Sequence, residues 1–408
     1  MGRERRRGGG GEGRGVRRHG AIVGTRLPGR QTDDPGKVRS VSPGRGPLPE
    51  LPASVPLVVV TRGGRVESVH RGSVVVSAAD GRVLAAAGDP LRPTLLRSSA
   101  KPFQLVPFLA AGGERRFRLT TRELAVAAAS HGGEPFHVET VRGMLDRGGF
   151  AAGDLHCGAH APMHEPSARA LVLRREEPGP LHNNCSGKHA AMLLACRQHG
   201  LPPEGYWRPD HPWQERIRAY LGLVAGVAPE RIPIAVDGCS VPVFELPLHR
   251  LATAYARLFA PRLPGESAAE ARARARVRQA MTEAPEMVAG SGRFTTAVMR
   301  EFGGRLVAKE GAEGVYAMGV APGAGSRRPL ALGVALKIED GAERGRDAVS
   351  VEVLEQLGLA SGARLARLER RARRAVKNVR GDVVGAVRPV FRLGRFDLEA
   401  PAGRAGRR

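Results

Sequence analysis

Ser98 and Lys101 stand three residues apart in Leu95-Leu96-Arg97-Ser98-Ser99-Ala100-Lys101-Pro102. At the start of a helix such a pair shares one face, so the amine can reach the hydroxyl. A serine hydroxyl is a poor nucleophile until a base takes its proton, and a lysine whose pKa is lowered by burial can be that base. The helix N-terminus adds backbone N–H groups able to stabilise an oxyanion. Alone the tetrapeptide says little, since a surface lysine near a capping serine reads the same way. Ser99 is a competing nucleophile that the spacing disfavours. Ser130-His131-Gly132 and, far downstream, Lys309-Glu310-Gly311 offer a second serine and lysine that could pass a proton to a leaving group. Read blandly, Ser130 is the end of a helix. A third cluster joins Cys185-Ser186-Gly187-Lys188-His189 to Asp237-Gly238-Cys239. A cysteine at a helix start favours thiolate, and two thiolates can meet on zinc. There is no C-x-x-C and lysine is a rare ligand, so residue types alone favour two buried cysteines. Cys157 and Cys196 read as packing residues.

Lysine itself carries information. Of 64 basic residues six are lysine: Lys37, Lys101, Lys188, Lys309, Lys337 and Lys377. Arginine keeps its proton, whereas a buried lysine amine can surrender one. Each lysine in so arginine-biased a chain is therefore a candidate for work that needs a neutral amine. Lys37 and Lys377, in basic or flanking segments, are set aside.

The elements that must position these groups read as follows. Residues 57–61, 65–69, 73–77 and 82–86 look like short strands separated by Gly63-Gly64, Arg71-Gly72 and Asp80-Gly81, an antiparallel meander. Pro102 places Ser98 at or just before a helix N-terminus. Thr120-x-x-Glu123 is a capping box opening a short helix that ends near Ser130. Helices are expected over 135–147 and 189–199, after Pro212 with Ile217, Tyr220, Leu221 and Val224 on one face, and over 268–281. Val236–Cys239 reads as a strand end and tight turn. Strands return over 305–309, 315–320 and 330–338, and Asp340-Gly341 precedes a final long helix. Strands at both ends with helices between predict an α+β fold whose terminal strands share one sheet.

Composition sets the frame. The chain has 408 residues, 42% hydrophobic, enough for a sizeable core. No run approaches the length of a membrane span, and no apolar segment follows the Arg/Gly-rich start as a secretory signal requires. The expectation is a cytoplasmic protein with a disordered basic leader over 1–55, a catalytic domain over 56–398 and a disordered basic tail over 399–408. Four cysteines are too few to staple such a fold. The net charge of +24 sits mostly at the ends, with +7 in residues 1–50 and +10 in 361–408. Such charge suits solvated tails more than a nucleic-acid surface, and four Tyr and two Trp offer few stacking platforms.

At several stretches the sequence resembles the L-asparaginase II family, the Rhizobium-type bacterial asparaginases. These are Arg97–Gln104, Ala129–Glu134, Leu155–Gly158, His182–Ala190, Val236–Pro242, Lys309–Gly314 and Lys337–Gly341, within a resemblance running from about Leu57 to Gly358. The resemblance implies an α+β fold like serine β-lactamases and glutaminases, with a mixed, mostly antiparallel sheet and helices packed around it. The chain order of a Ser-x-x-Lys, a later serine and a Lys-x-Gly is the one those enzymes use. It implies L-asparagine as substrate, two Ser–Lys pairs (Ser98 with Lys101, Ser130 with Lys309), and a zinc site on Cys185, Lys188 and Cys239. That implication reverses the reading of the cysteines, and a zinc-bound Lys188 would have to be neutral. Charge matching assigns Asp237 to the substrate α-ammonium and Arg97 to its α-carboxylate. His131, Glu134 and His189 are expected behind these groups, and a homodimer is expected in solution. The alternative is another Ser/Lys acyl hydrolase, β-lactamase-like or a glutaminase.

Overall fold

The computed structural model describes residues 52–324, 330–372 and 375–398. Most of the expected leader, and all of the tail over 399–408, lie outside the described residues; Val55, assigned to the leader, already belongs to the first strand. In chain order the strands are β1 (Val55–Arg62), β2 (Arg65–Ala78), β3 (Val83–Ala87), β4 (Pro93–Leu95), β5 (Ile234–Val236) and β6 (Pro242–Pro247). They continue with β7 (Leu306–Gly311), β8 (Val315–Val320), β9 (Leu332–Ile338), β10 (Ala375–Lys377), β11 (Val383–Pro389) and β12 (Gly394–Leu398). The main sheet runs β10-β11-β1-β2-β9-β8-β7, with β3 paired to β2 and β12 to β3, and all these pairings are antiparallel. A second sheet has the order β4-β6-β5. The fold is therefore α+β, with strands from both ends of the chain in one sheet.

Two expectations need correction. The segments 65–69 and 73–77 are one strand, β2. Gly72 is no turn: a Cβ there would lie 2.1 Å from the Lys337 carbonyl oxygen of neighbouring β9. Glycine inside a strand commonly marks such a close backbone approach. Second, the helix after Asp340-Gly341 is not the last element. A further helix and three strands follow it, and β11 pairs with β1 through Val58↔Pro389 to Val60↔Val387.

The helices used below are α1 (Lys101–Ala110), α2 (Thr121–Ala127), α3 (Pro135–Gly148), α4 (Ser186–His199), α5 (Pro212–Ala225), α6 (Leu248–Arg257), α7 (Ala268–Glu283), α8 (Phe294–Phe302), α9 (Glu343–Gln356) and α10 (Gly362–Ala372). Their ends follow local chemistry. Thr120 and Glu123 complete both halves of the capping box on α2, and Gly200, in the left-handed conformation, stops α4. Ile217, Tyr220, Leu221 and Val224 of α5 are all buried, as their spacing predicts. α6 packs on the sheet so closely that a Cβ at Gly333 would sit 1.7 Å from the Ala252 carbonyl oxygen. No helix among the described residues is long and apolar enough to cross a membrane.

Candidate active site

Four pieces of chain meet at one end of α1. Leu96 to Ala100 leave β4 through a 3-10 turn that runs directly into α1, and Pro102 occupies its first turn. Arg97 in this turn has a positive φ of 49°, an uncommon conformation for a residue with a side chain. β7 comes in beside the turn, where a Cβ on Gly311 would lie 3.0 Å from the Leu96 carbonyl oxygen. The start of α4 comes in from the other side. A Cβ on Gly187 would lie 2.3 Å from the Val126 carbonyl oxygen, so only glycine lets α4 press against the end of α2. The irregular stretch after α2 is pinned at two adjacent residues, Ser130 N donating to Val288 O (3.0 Å) and His131 N to Asn184 O (3.3 Å).

Into this junction point two lysines and a serine. Lys101 Nζ donates to Ser130 Oγ at 3.0 Å, and Lys309 Nζ donates to the same oxygen at 2.9 Å. Lys101 also reaches the Ala129 carbonyl, the Asn184 carbonyl at 3.5 Å and Cys185 Sγ at 3.2 Å. Both lysines are essentially wholly buried. Burial pushes the Lys309 amine down to about 7, partly opposed by the charge of Glu310 and reinforced by that of Lys101. Its amine is further held by the Glu310 carbonyl at 2.8 Å.

Spacing paired Ser98 with Lys101, and the structure places the two close in the chain but turns the amine elsewhere. Lys101 Nζ forms no hydrogen bond with Ser98 Oγ; its partners are Ser130 and the Ala129–Cys185 neighbourhood. Ser98 is half-buried with its hydroxyl uncommitted among the described residues, whereas Ser99 is fully buried and donates to the Leu96 carbonyl at 2.6 Å. Ser99 is thereby removed as a nucleophile. Arg97 and Asp237 meet each other: Nε lies 2.8 Å from Oδ1. Burial raises the Asp237 carboxyl, but Lys188 and Arg97 outweigh it and leave the group below its ordinary range.

The third cluster also assembles. Cys185 is the N-cap of α4 and Lys188 lies in its first turn, while Cys239 sits in the tight turn after β5, where Asp237 N donates to Val241 O. Lys188 Nζ donates to Cys239 Sγ at 3.1 Å, and Cys185 Sγ donates to Asn184 Oδ1 at 3.1 Å while accepting from Lys101 Nζ at 3.2 Å. The neighbouring Cys239 thiol, with the charges of Lys101 and Lys188, outweighs burial and holds the Cys185 thiol well below its usual range. The Cys239 thiol moves the other way, raised by Cys185 beside it and by burial. Burial draws the Lys188 amine down, yet Cys239, Cys185 and Asp237 together raise it. Lys188 and Cys239 in contact, with the Cys185 thiol in the same buried cluster, offer donor types suited to zinc. Among the described residues no three His, Cys, Asp or Glu side chains cluster as a metal site. Cys157 and Cys196 are buried, their thiols raised to about 12 by burial, as packing residues should be.

Behind the site, His131 Nδ1 accepts from Gly133 N (3.1 Å), which leaves Nε2 carrying the proton toward Ser186 Oγ (2.9 Å). Its full burial keeps the ring neutral. Glu134 is buried and accepts from Ser291 N at 2.8 Å, and His189 Nδ1 faces the Tyr206 hydroxyl at 2.7 Å. Sequence reasoning missed Glu310. Its carboxylate bonds Arg293 (3.0 Å) and Thr295 (3.2 Å), and it lies 3.7 Å from Arg346. Burial would raise Glu310, but Arg346, Arg293 and Lys309 pull it down to about 2. Its adjacency to Lys309 was the available signal.

The family model for L-asparaginase II matches residues 58–389. The chain belongs to the L-asparaginase II family. It is accordingly an amidohydrolase. No curated protein matches it. Among solved structures, that of Mglu in its native form is 15% identical over 72% of this chain and 66% of that one, with a TM-score of 0.38. A probable glutaminase from Bacillus subtilis, complexed with 6-diazo-5-oxo-L-norleucine, is 12% identical over 71% of this chain and 85% of that one, with a TM-score of 0.31. A second structure of a probable glutaminase from Bacillus subtilis gives 13% identity, 71% and 89% coverage, and a TM-score of 0.32. The chain thus spans about two thirds of Mglu's length.

Proposed function

We propose that this amidohydrolase hydrolyses the side-chain amide of L-asparagine to aspartate and ammonia through an acyl-enzyme on Ser98. The observation that carries the reading is Ser130 Oγ held between two buried lysine amines at 3.0 and 2.9 Å. A hydroxyl that accepts from one amine can donate to the lone pair of the other, so the three groups form a proton relay. Lys101 takes the Ser98 proton as Oγ bonds to the amide carbon, and the proton passes over Ser130 to neutral Lys309. It returns to the nitrogen as the C–N bond breaks, releasing ammonia. Water then adds to the ester carbon, gives its proton to the same relay, and Ser98 regains a proton as aspartate leaves. The Arg97–Asp237 pair opens around the substrate, Arg97 taking the α-carboxylate and Asp237 the α-ammonium. Cys185, Lys188 and Cys239 would hold zinc, which supplies a fixed positive charge that orders this wall of the pocket. The bond from both amines to Ser130 favours a second reading, in which Ser130 is the nucleophile and Ser98 the relay.

The test is ammonia release from L-asparagine and L-glutamine by wild type, Ser98→Ala, Ser130→Ala and Lys101→Arg. Each variant is expected to lose about a thousandfold or more in kcat/KM. Full activity in Lys101→Arg would falsify the relay, because a guanidinium cannot serve as the base; faster hydrolysis of glutamine would remove asparagine as the substrate. Mapping the acylated serine by mass spectrometry separates the two nucleophiles. Purified wild type is expected to carry about one zinc per chain by elemental analysis, and Cys239→Ser to lose it. Equal zinc in both would discard the proposed ligands. The reading includes a homodimer, and a monomeric mass by light scattering would remove that part.

A further inference from the structure

A groove between α8 and α10 stands apart from the proposed relay. It encloses about 540 Å³ and is lined by five arginines, Arg293, Arg300, Arg367, Arg370 and Arg371, against a single carboxylate, Glu301. Some of this charge is matched. Arg367 grips Glu301 with two bonds (2.7 and 2.8 Å), Arg300 lies 3.3 Å from Glu286, and Arg293 pairs with Glu310 and, at 3.3 Å, with Glu343. Arg370 and Arg371 are exposed and form no ion pair with another described residue. The groove runs along one side of α8, where Arg293, Thr296, Ala297 and Arg300 line it. Like charges gathered round a concavity repel each other, and an anion seated among them offsets that repulsion. Guanidinium forks match phosphate oxygens. The volume is that of a small-molecule site, and no aromatic side chain lines it to stack a nucleobase.

We propose that this groove binds a small metabolite bearing two or three linked phosphates, and that Arg293 connects the occupant to Lys309. Arg293 holds the Glu310 carboxylate at 3.0 Å, and Glu310 follows Lys309 directly on β7. A polyanion in the groove competes with Glu310 for that guanidinium. The charge of Glu310 is then less neutralised, and Lys309, which is also faced by Lys101, Ser130 and Cys185, keeps its proton more firmly. Amide hydrolysis at neutral pH slows. The link to Lys309 rests on the relay proposed above; the binding does not.

Titration calorimetry of the full chain with inorganic triphosphate, at about physiological salt, reads the binding directly. Saturable binding is expected, weakened about tenfold or more in the double variant Arg370→Ser/Arg371→Ser and retained in Arg370→Lys/Arg371→Lys. Absence of saturation at millimolar triphosphate would overturn the site. So would equal affinity in the serine variant, since that places the ligand on arginines outside the groove. Binding of an RNA homopolymer at the same arginines, with none of triphosphate, would replace the small ligand with nucleic acid. Saturating triphosphate is expected to slow asparagine hydrolysis at least twofold in wild type and to leave the rate of the serine variant unchanged relative to its own baseline. Binding without any change in the wild-type rate overturns the link through Arg293. An inactive wild type would count against the amidase reading and leave the calorimetry to judge the groove.

Discussion

Burial acts differently on the lysines of the site, and the difference lies in their neighbours. Lys309 has one carboxylate near it, already matched by two arginines, so desolvation wins and its amine falls to about 7. Lys188 faces two thiols and Asp237, so attraction wins and its amine rises. The first arrangement suits proton transfer at neutral pH, and the second holds a fixed positive charge. A relay that begins with neutral Lys309 has a definite pH dependence. Below about 7 the amine is protonated and the path is blocked, so kcat/KM for asparagine should rise as pH climbs through about 7. Glu310→Gln removes the charge that raises this amine, and the rise should move to lower pH. A profile unchanged in that variant would mean Lys309 does not set the limb.

At the scale of elements, the site is held together by places where backbone meets backbone. Gly187 is the most telling, because α4 carries Cys185 and Lys188 while α2 leads to Ser130. Their separation is limited by the 2.3 Å between a Cβ at 187 and the Val126 carbonyl oxygen, a contact no side chain can occupy. Gly187→Ala must therefore push the two helices apart. The expected cost is about 1–3 kcal/mol of stability in urea unfolding, with a loss of hydrolysis at temperatures where the variant is still folded. Wild-type rate and stability together would show that the approach is looser than drawn. Local rules settled much of this level beforehand: the Thr120 capping box, Pro102 and the glycine stop at 200 all depend on neighbours within a turn. They did not separate a turn glycine from a close-approach glycine, which is why β2 reads as two strands in the sequence and is one in the fold.

Over the whole molecule, the last strands close the sheet against the first, β11 on β1 and β12 on β3. No strand is expected after the helix that follows Asp340-Gly341, because exposed strands at a sheet margin lack a strong apolar alternation. The helices are tied by a buried ion pair. Arg274 of α7 bonds both Glu266 oxygens at 2.8 Å and the Arg257 carbonyl at the end of α6, and Glu266 also accepts from Tyr220 of α5 at 3.0 Å. Arg274→Met leaves that carboxylate buried without its partner, at a cost of about 3–5 kcal/mol. A midpoint of unfolding within error of wild type would contradict this.

From the amino-acid types alone came the α+β class, the helix ends, the candidate serines, lysines and cysteines, and the value of a lysine in an arginine-biased chain. Those follow from composition and from contacts a few residues long. Which amine meets which hydroxyl is another matter. Ser98 and Lys101 are neighbours by spacing, yet the amine of Lys101 spends its hydrogen bonds on groups 28 to 84 residues away. Ser130 receives Lys309 from 179 residues downstream. Arg97 and Asp237, assigned separately to the two ends of a substrate, hold each other across 140 residues. Such pairings depend on sheet register and helix approach, which no local pattern encodes, and so only the tertiary structure could decide them.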